Sequence, residues 1–237
     1  MKLGIITDIH NNAVALEAVL KRLEEEKVEG IICCGDMIGI GPYPEETISM
    51  VKNIPNLMAC VLGNHDKYLI EGMDLEVNMS LDEKAHHQWE HNQISDESKA
   101  FLADLNDEES LVINGKVIHV IHYAIDENNH YLTLGRNPEL KEVEKAFKDI
   151  SADVILYGHE HQKSFLEGDK LFINCGALGC PGRDLNLARA GLLMVDDDIT
   201  FSEIEVEYDV AKVLADMDRF NYPDKTIIKK IFYGVND

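Results

Sequence analysis

The chain has 237 residues, of which 22 are Lys or Arg and 44 are Asp or Glu, a formal net charge of −22. At 45% hydrophobic and 28% charged residues it has the composition of a folded globular protein rather than a disordered one. So acidic a surface repels polyphosphate backbones and anionic headgroups, which argues against a nucleic-acid coat or an anionic-membrane binder.

Residues 3–7 read as a buried strand, followed by Asn11-Asn12 as helix caps and by Leu16, Leu20 and Leu23 at helical spacing. A second apolar strand at 28–34 ends at Gly35-Asp36. A helix near 45–52 then leads to a third strand at 57–62, ending at Gly63-Asn64. This βαβαβ alternation predicts a parallel sheet with helices packed on it. Residues 66–110 are polar and helix-rich, with amphipathic stretches at 82–92 and 96–105. Residues 111–113 and 116–121 form a hairpin pattern around Asn114-Gly115, a strong short-range turn signal. A helix at 138–150 precedes a buried strand at 154–157, and strand patterns follow at 163–166, 170–174, 191–195 and 200–206. Residues 209–233 return to helix, interrupted at Pro223. No repeat or Pro/Gly/Ser-rich linker divides the chain. The expectation is therefore one domain over 1–237, with 66–110 as a helical insertion or cap and 209–233 as closing helices.

The five cysteines (Cys33, Cys34, Cys60, Cys175 and Cys180) include no CxxC pair, so neither a zinc knuckle nor a redox dithiol is indicated. Reduced, buried thiols fit a cytoplasmic protein. The apolar opening is cut by Asp8, too early for a signal-peptide core, and no apolar run approaches the ~18 residues of a membrane span.

The chemistry gathers where predicted strands end. Five polar clusters fall there: Asp8-Ile9-His10, Gly35-Asp36, Gly63-Asn64-His65-Asp66, His122, and Gly158-His159-Glu160-His161. In an extended segment residues i and i+2 point the same way, so Asp8/His10 and His159/His161 each offer two ligands to one side. Parallel strands deliver their carboxyl ends to one edge, where a ligand crevice forms. Carboxylate, amide oxygen and imidazole together suit manganese, iron, zinc or nickel. A lone DxH or GD is a common accident, whereas all five in this order are not. His119 is the alternative to His122, but it lies within the strand rather than at its end.

As it stands, DxH…GD…GNHD…H…GHxH resembles the calcineurin-like metallophosphoesterase superfamily. The loop GDMIGIGPYPEE resembles its small bacterial and archaeal phosphoesterases of the YfcE-related type. The resemblance extends over the WEHNQIS and NCGALGCPGRD segments to the closing YDV helix. It implies an α/β fold, a four-layer α-β-β-α sandwich with two mixed sheets. It also implies two divalent metal ions, manganese foremost with iron, zinc or nickel as alternatives. One would be bound by Asp8, His10, Asp36 and His161, the other by Asp36, Asn64, His122 and His159, with Asp36 shared. His65 would serve as general acid or as an anchor for the phosphoryl oxygens. The implied reaction is in-line attack of a metal-bridging hydroxide on a small phosphodiester or phosphomonoester.

The chain departs from the family pattern where His122 is followed by Tyr123 instead of the usual Gly, a ring that would narrow the pocket. Asn174-Cys175-Gly176 also stands in place of NPG, and Gly182 is an extra residue before Arg183. Candidates for substrate contact are Arg183, Tyr43 and Tyr123. Lys67 is better read as a solvated side chain, His86, His87 and His91 as surface residues, and Trp89 as a packing anchor.

Two other classes compete. A protein-phosphatase-like or dinucleoside-polyphosphate hydrolase would carry an arginine shortly after the GD motif, and residues 37–44 contain none. A non-catalytic scaffold of the retromer type would have lost histidines that are all present here. The acidic charge is compatible with a small phosphorylated substrate, because metals rather than basic side chains would attract it. The same charge disfavours a long nucleic acid.

Overall fold

The computed structural model describes residues 1–73, 79–127, 130–135, 137–182 and 186–235. Its first part alternates as read: β1 (Lys2–Ile6), α1 (Ala13–Glu25), β2 (Gly30–Cys33), α2 (Pro44–Lys52) and β3 (Leu57–Cys60). Asn12 caps α1 by accepting the Ala15 N–H at 3.1 Å, and Pro44 opens α2 where its missing donor costs nothing. Three helices follow: α3 (Asn64–Ile70), α4 (Leu81–His91) and α5 (Asp96–Ala103). Ser80 and Ser95 cap the last two through hydroxyls that accept the N–H three residues on.

The hairpin β4 (Glu108–Ile113) and β5 (Lys116–Ile121) turns on Asn114 and Gly115. Both have positive φ, at 51° and 79°, which only such residues adopt readily. Then come α6 (Leu140–Ala146), β6 (Val154–Leu156), β7 (Ser164–Glu167), β8 (Leu171–Asn174), β9 (Leu187–Val195), β10 (Ile199–Glu207), α7 (Val210–Arg219) and α8 (Lys225–Phe232). β9 starts four residues before the expected 191. Its continuous register with β10, from Leu187 opposite Glu207 to Val195 opposite Ile199, carries the strand through Ala188-Arg189-Ala190.

The strands build two five-stranded sheets, ordered β10-β9-β1-β2-β3 and β4-β5-β6-β8-β7. Each has a parallel centre, β1-β2-β3 in one and β5-β6-β8 in the other, with antiparallel strands outside it. Alternate side chains then decide the layers. Leu3, Ile5 and Ile32 of one sheet meet Ile118, Val120, Val154 and Ile173 of the other in a shared apolar cluster. The opposite face, with Ile6 and Cys33, packs on Leu16, Val19 and Leu23 of α1 and on Ile48, Val213 and Ile228 of α2, α7 and α8. Ile155 and Phe172 pack outward on Val143 and Phe147 at α6. The result is the four-layer α-β-β-α sandwich with two mixed sheets. Residues 66–110 also feed this core, since Ile94 and Leu102 join the cluster that holds α1 and α2. Among the described residues no helix is long and apolar enough to cross a membrane.

Candidate metal centre

All five polar clusters lie just beyond the carboxyl ends of parallel strands: β1, β2 and β3 of one sheet, β5 and β6 of the other. Backbone bonds lace the loops together. Asp8 N–H donates to Gly35 O at 3.0 Å, His10 N–H to Asp36 O at 3.1 Å, and Gly158 N–H to His122 O at 2.8 Å. The expectation that Asp8/His10 and His159/His161 converge because they are extended is corrected here. Asp8, His10, Asp36, His159 and His161 all have φ between 50° and 75°, in the left-handed region. Non-glycine residues reach it at a cost of about 1–3 kcal/mol each, and such strain gathers at functional sites. Two glycines are required by close approach. A Cβ on Gly63 would overlap the Asp36 carboxylate and its backbone nitrogen, and one on Gly158 would overlap Thr7 Oγ1 and lie 2.6 Å from Asp8 Oδ2.

The side chains then meet in two groups that share Asp36. In the first, His10 Nε2 lies 2.8 Å from His161 Nε2, the approach two imidazoles make when both aim at one point. Asp8 Oδ1 is 3.8 Å from His10 Nε2 and 3.6 Å from His161 Nε2, while Asp36 Oδ2 is 3.8 Å from His10 Nε2. In the second, Asp36 Oδ2 is 3.2 Å from His122 Nε2, and His159 Nδ1 meets Asn64 Oδ1 at 2.9 Å. Ligand atoms of Asp36, His122 and His159 all lie within 4.8 Å of one another.

The donor set fits divalent metals on three counts. His10 Nδ1 faces the Ile38 carbonyl at 2.9 Å and His122 Nδ1 the Cys34 carbonyl at 2.8 Å. A carbonyl only accepts, so each Nδ1 carries hydrogen and each Nε2 is the nitrogen turned inward, the second-shell arrangement of metal-binding histidines. His122 Nε2 is buried without a well-aligned hydrogen bond, although Asp36 stands close. Finally, mixed nitrogen and oxygen donors with carboxylates suit manganese, iron, zinc or nickel.

The electrostatics are those of a buried charge cluster. Burial pushes the Asp36 carboxyl up, but His122, His65 and His10 outweigh it and hold it well below the usual carboxylate range. Burial pulls His122 down, yet Asp36 dominates and lifts it to about 9. His161 is lowered to about 4 and His65 is held well below the ordinary imidazole range, in both cases chiefly by burial.

His65, the second residue of α3, donates its backbone N–H to Asp36 Oδ1 at 2.9 Å, and its ring stands 5.1 Å from that of His10. Asp66, given no role from sequence, ties the loops together. Its carboxylate accepts N–H bonds from Met37, Ile38 and Gly63 at 2.9–3.3 Å. Burial and the charge of Asp36 push Asp66 up to about 7. Tyr131 was also missed: its ring stacks on His159 at 5.0 Å, and no local pattern marks it.

Tyr123 does not open onto a pocket mouth. It is fully buried, packs against the His159 ring with centroids 4.7 Å apart, and donates its hydroxyl to Glu160 at 2.8 Å. Tyr43 is a second correction. Its hydroxyl donates to Asp216 at 2.7 Å and its ring packs on Phe220, so its contacts lie in the helical layer. Arg183 lies outside the described residues. His119 pairs with Ser110 at 2.9 Å across the β4–β5 hairpin, away from the centre. Lys67 pairs with Asp107 at 2.8 Å, and Trp89 packs edge-on against Tyr222. The histidines read as surface residues are not: His86 and His87 are buried and His91 half-buried, because the polar face of α4 turns toward the loop after β2. Cys180 places its thiol near His10 and His161.

Two stacked mixed sheets with histidines and aspartates converging at their strand ends are the features expected of a metal-dependent hydrolase. The chain belongs to the calcineurin-like phosphoesterase superfamily, whose domain matches residues 1–198, and it is a phosphoric ester hydrolase. It is 26% identical over 194 residues to a phosphodiesterase of Methanocaldococcus jannaschii, covering 81% of this chain and 92% of that one. Two crystal structures share its fold over essentially the full length of both chains. A metallophosphoesterase from Sphaerobacter thermophilus has a TM-score of 0.74 at 24% identity, with 99% of each chain covered. A hypothetical protein from Pyrococcus horikoshii has a TM-score of 0.85 at 21% identity, covering 100% of this chain and 99% of that one.

Proposed function

We propose that this protein hydrolyses a small phosphodiester or phosphomonoester with two divalent metal ions, manganese foremost. Asp8, His10, Asp36 and His161 would hold one ion, and Asp36, Asn64, His122 and His159 the other. The observation that carries this reading is Asp36, one buried carboxylate facing both groups of donors. Bound there, the ions would supply Lewis-acid polarisation of a phosphoryl oxygen and a lowered pKa for water.

The chain's own residues do the positioning. Carbonyls of Ile38 and Cys34 fix the ring orientations of His10 and His122. Asp66 holds the loops that present Asp36 and Asn64 at a fixed separation. Tyr123 and Tyr131 both pack against the His159 ring. Burial keeps His65 neutral, so it is suited to donate a hydrogen bond to a phosphoryl oxygen or to the departing oxygen. Asn64 contributes a neutral oxygen, which limits negative charge facing the phosphate. The net charge of −22 favours a compact substrate over a long nucleic acid or a membrane surface. Residues 1–237 act as one domain in this reading. The 66–110 segment caps it, and the five buried thiols suit a cytoplasmic setting.

The test is hydrolysis of an aryl phosphodiester with and without manganese and chelator. Activity should require the metal and should fall on the order of a hundredfold or more in Asp36→Asn, a change to the shared ligand. Undiminished turnover by that variant after its metals are stripped would sink the mechanism.

A further inference from the structure

Beside the centre, the inner face of α4 presents His87, Glu90 and His91 at positions i, i+3 and i+4. One nitrogen of each imidazole and one Glu90 oxygen lie within 4.8 Å of one another. His87 and Glu90 are fully buried, and His91 is half-buried, giving the group a route to solvent. The carboxylate is already anchored on one side. Glu90 Oε1 accepts the Asn11 side-chain N–H and the Gly39 backbone N–H, both at 2.6 Å. Among the described residues Glu90 Oε2 is hydrogen-bonded only with His87 Nδ1, at 3.3 Å. That separation matches the spacing between two ligands of a tetrahedral ion whose bonds are about 2.0–2.1 Å.

Two further nitrogens, His87 Nε2 and His91 Nε2, are buried without hydrogen-bond partners. A purely structural brace would explain Glu90, which ties Asn11 and Gly39 to α4. It leaves the His91 imidazole at its flank unexplained, since His87 Nδ1 already meets Glu90 Oε2. A cation held by Glu90 Oε2, His87 Nδ1 and the His91 imidazole accounts for the grouping of the three side chains. Oε2 and Nδ1 would stop facing each other and face the ion instead, and His87 Nε2 would take the ring proton.

We propose that His87, Glu90 and His91 form a third, mononuclear site for a transition-metal dication of the zinc, cobalt or nickel type, with water completing its coordination. Two imidazoles and one carboxylate form the donor set of open zinc sites. The site stands apart from the strand-edge ligands. His87 faces His65, with ring centroids 5.2 Å apart, and its ring neighbours among the described residues, His65, Tyr68, His86 and His91, include none of the side chains assigned above to the two ions. Its occupancy would pin α4 to the loop after β2 and hold the wall behind His65.

The test does not depend on catalysis or on how many ions the strand edge takes. The full chain and His91→Ala are equilibrated with cobalt, freed of excess, and analysed for metal per chain and for visible absorption. The expected result is one ion fewer per chain in the variant, with loss of the intense bands of tetrahedral cobalt. Equal metal content and equal spectra would overturn the proposal. His91 is partly exposed, and urea unfolding of the variant checks that its truncation preserves the fold. Glu90→Gln, which keeps an oxygen for Asn11 and Gly39, gives the second reading, with the same loss expected and the same equality refuting it.

Discussion

Metal capture at the strand edge should depend steeply on pH, because His122 must surrender a proton before it can act as a ligand. Its imidazole is fully buried beside Asp36, which overrides the effect of burial and raises it from 6.5 to about 9. Below that value the metal-free site holds a proton that the loaded site cannot keep, so affinity should rise tenfold per pH unit. Over the two units ending at pH 9, where the proton is already half lost, the change is about fiftyfold, or roughly 2.3 kcal/mol. His161, lowered to about 4 by burial, carries no proton in this range. Asp66, raised to about 7, adds a contribution only around and below that value, so the slope is read above it.

The linkage to stability runs the other way in the metal-free protein. The raised His122 contributes stability that is fully present below its unfolded pKa of about 6.5 and is lost as pH rises through about 9. The assay is competition against an indicator chelator of known pH dependence, combined with urea unfolding in chelator. An affinity that is flat above neutrality would refute the charge pairing of His122 with Asp36. His122→Asn should weaken binding and abolish the slope.

Two substitutions test the supports of the centre. Gly63→Ala places a methyl group into the Asp36 carboxylate and backbone, so metal content should fall and the overpacked site should lose about 1–3 kcal/mol in urea unfolding. Normal metal content in that variant would show that the loops have slack. Tyr123→Phe keeps the ring and loses the bond to Glu160, which should cost about 1 kcal/mol. Tyr123→Gly, the residue usual in the family, removes a fully buried ring and should cost about 3–5 kcal/mol rather than open the site. Faster hydrolysis without lost stability would show that the ring obstructs substrate instead of supporting His159.

Much of the architecture was legible from apolar periodicity. The first three strands and two helices lie where the pattern places them, and Asn114-Gly115 turns the hairpin as that dipeptide should. Those signals are local: they depend on which side chains alternate and on which residues cap or tolerate positive φ. What went astray depended on partners distant in sequence. Tyr43 looked free in a glycine-rich loop, but Asp216, 173 residues away, takes its hydroxyl. The histidines of α4 sit in a polar stretch and read as exposed, yet Glu90 is bonded to Asn11, 79 residues away, and turns that face inward. Tyr131 carries no motif, and only the packing of its loop brings it onto His159.

The sequence by itself determined the candidate donor residues, their order and their placement at strand ends, because the carboxyl edge of a parallel sheet follows from the strand–helix alternation. Only the tertiary structure decided which donors share a point. Asp8 and the His159 backbone meet at 3.0 Å across 151 residues, where two sheets pack face to face. The extended geometry inferred from the DxH and HxH spacing was not the cause of that convergence. Left-handed turns aim the side chains, and glycines at 63 and 158 admit the close approach. Local periodicity records which face of an element is buried. It does not record which loop of another sheet will lie against it, and a shared carboxylate such as Asp36 exists only once both sheets are in place.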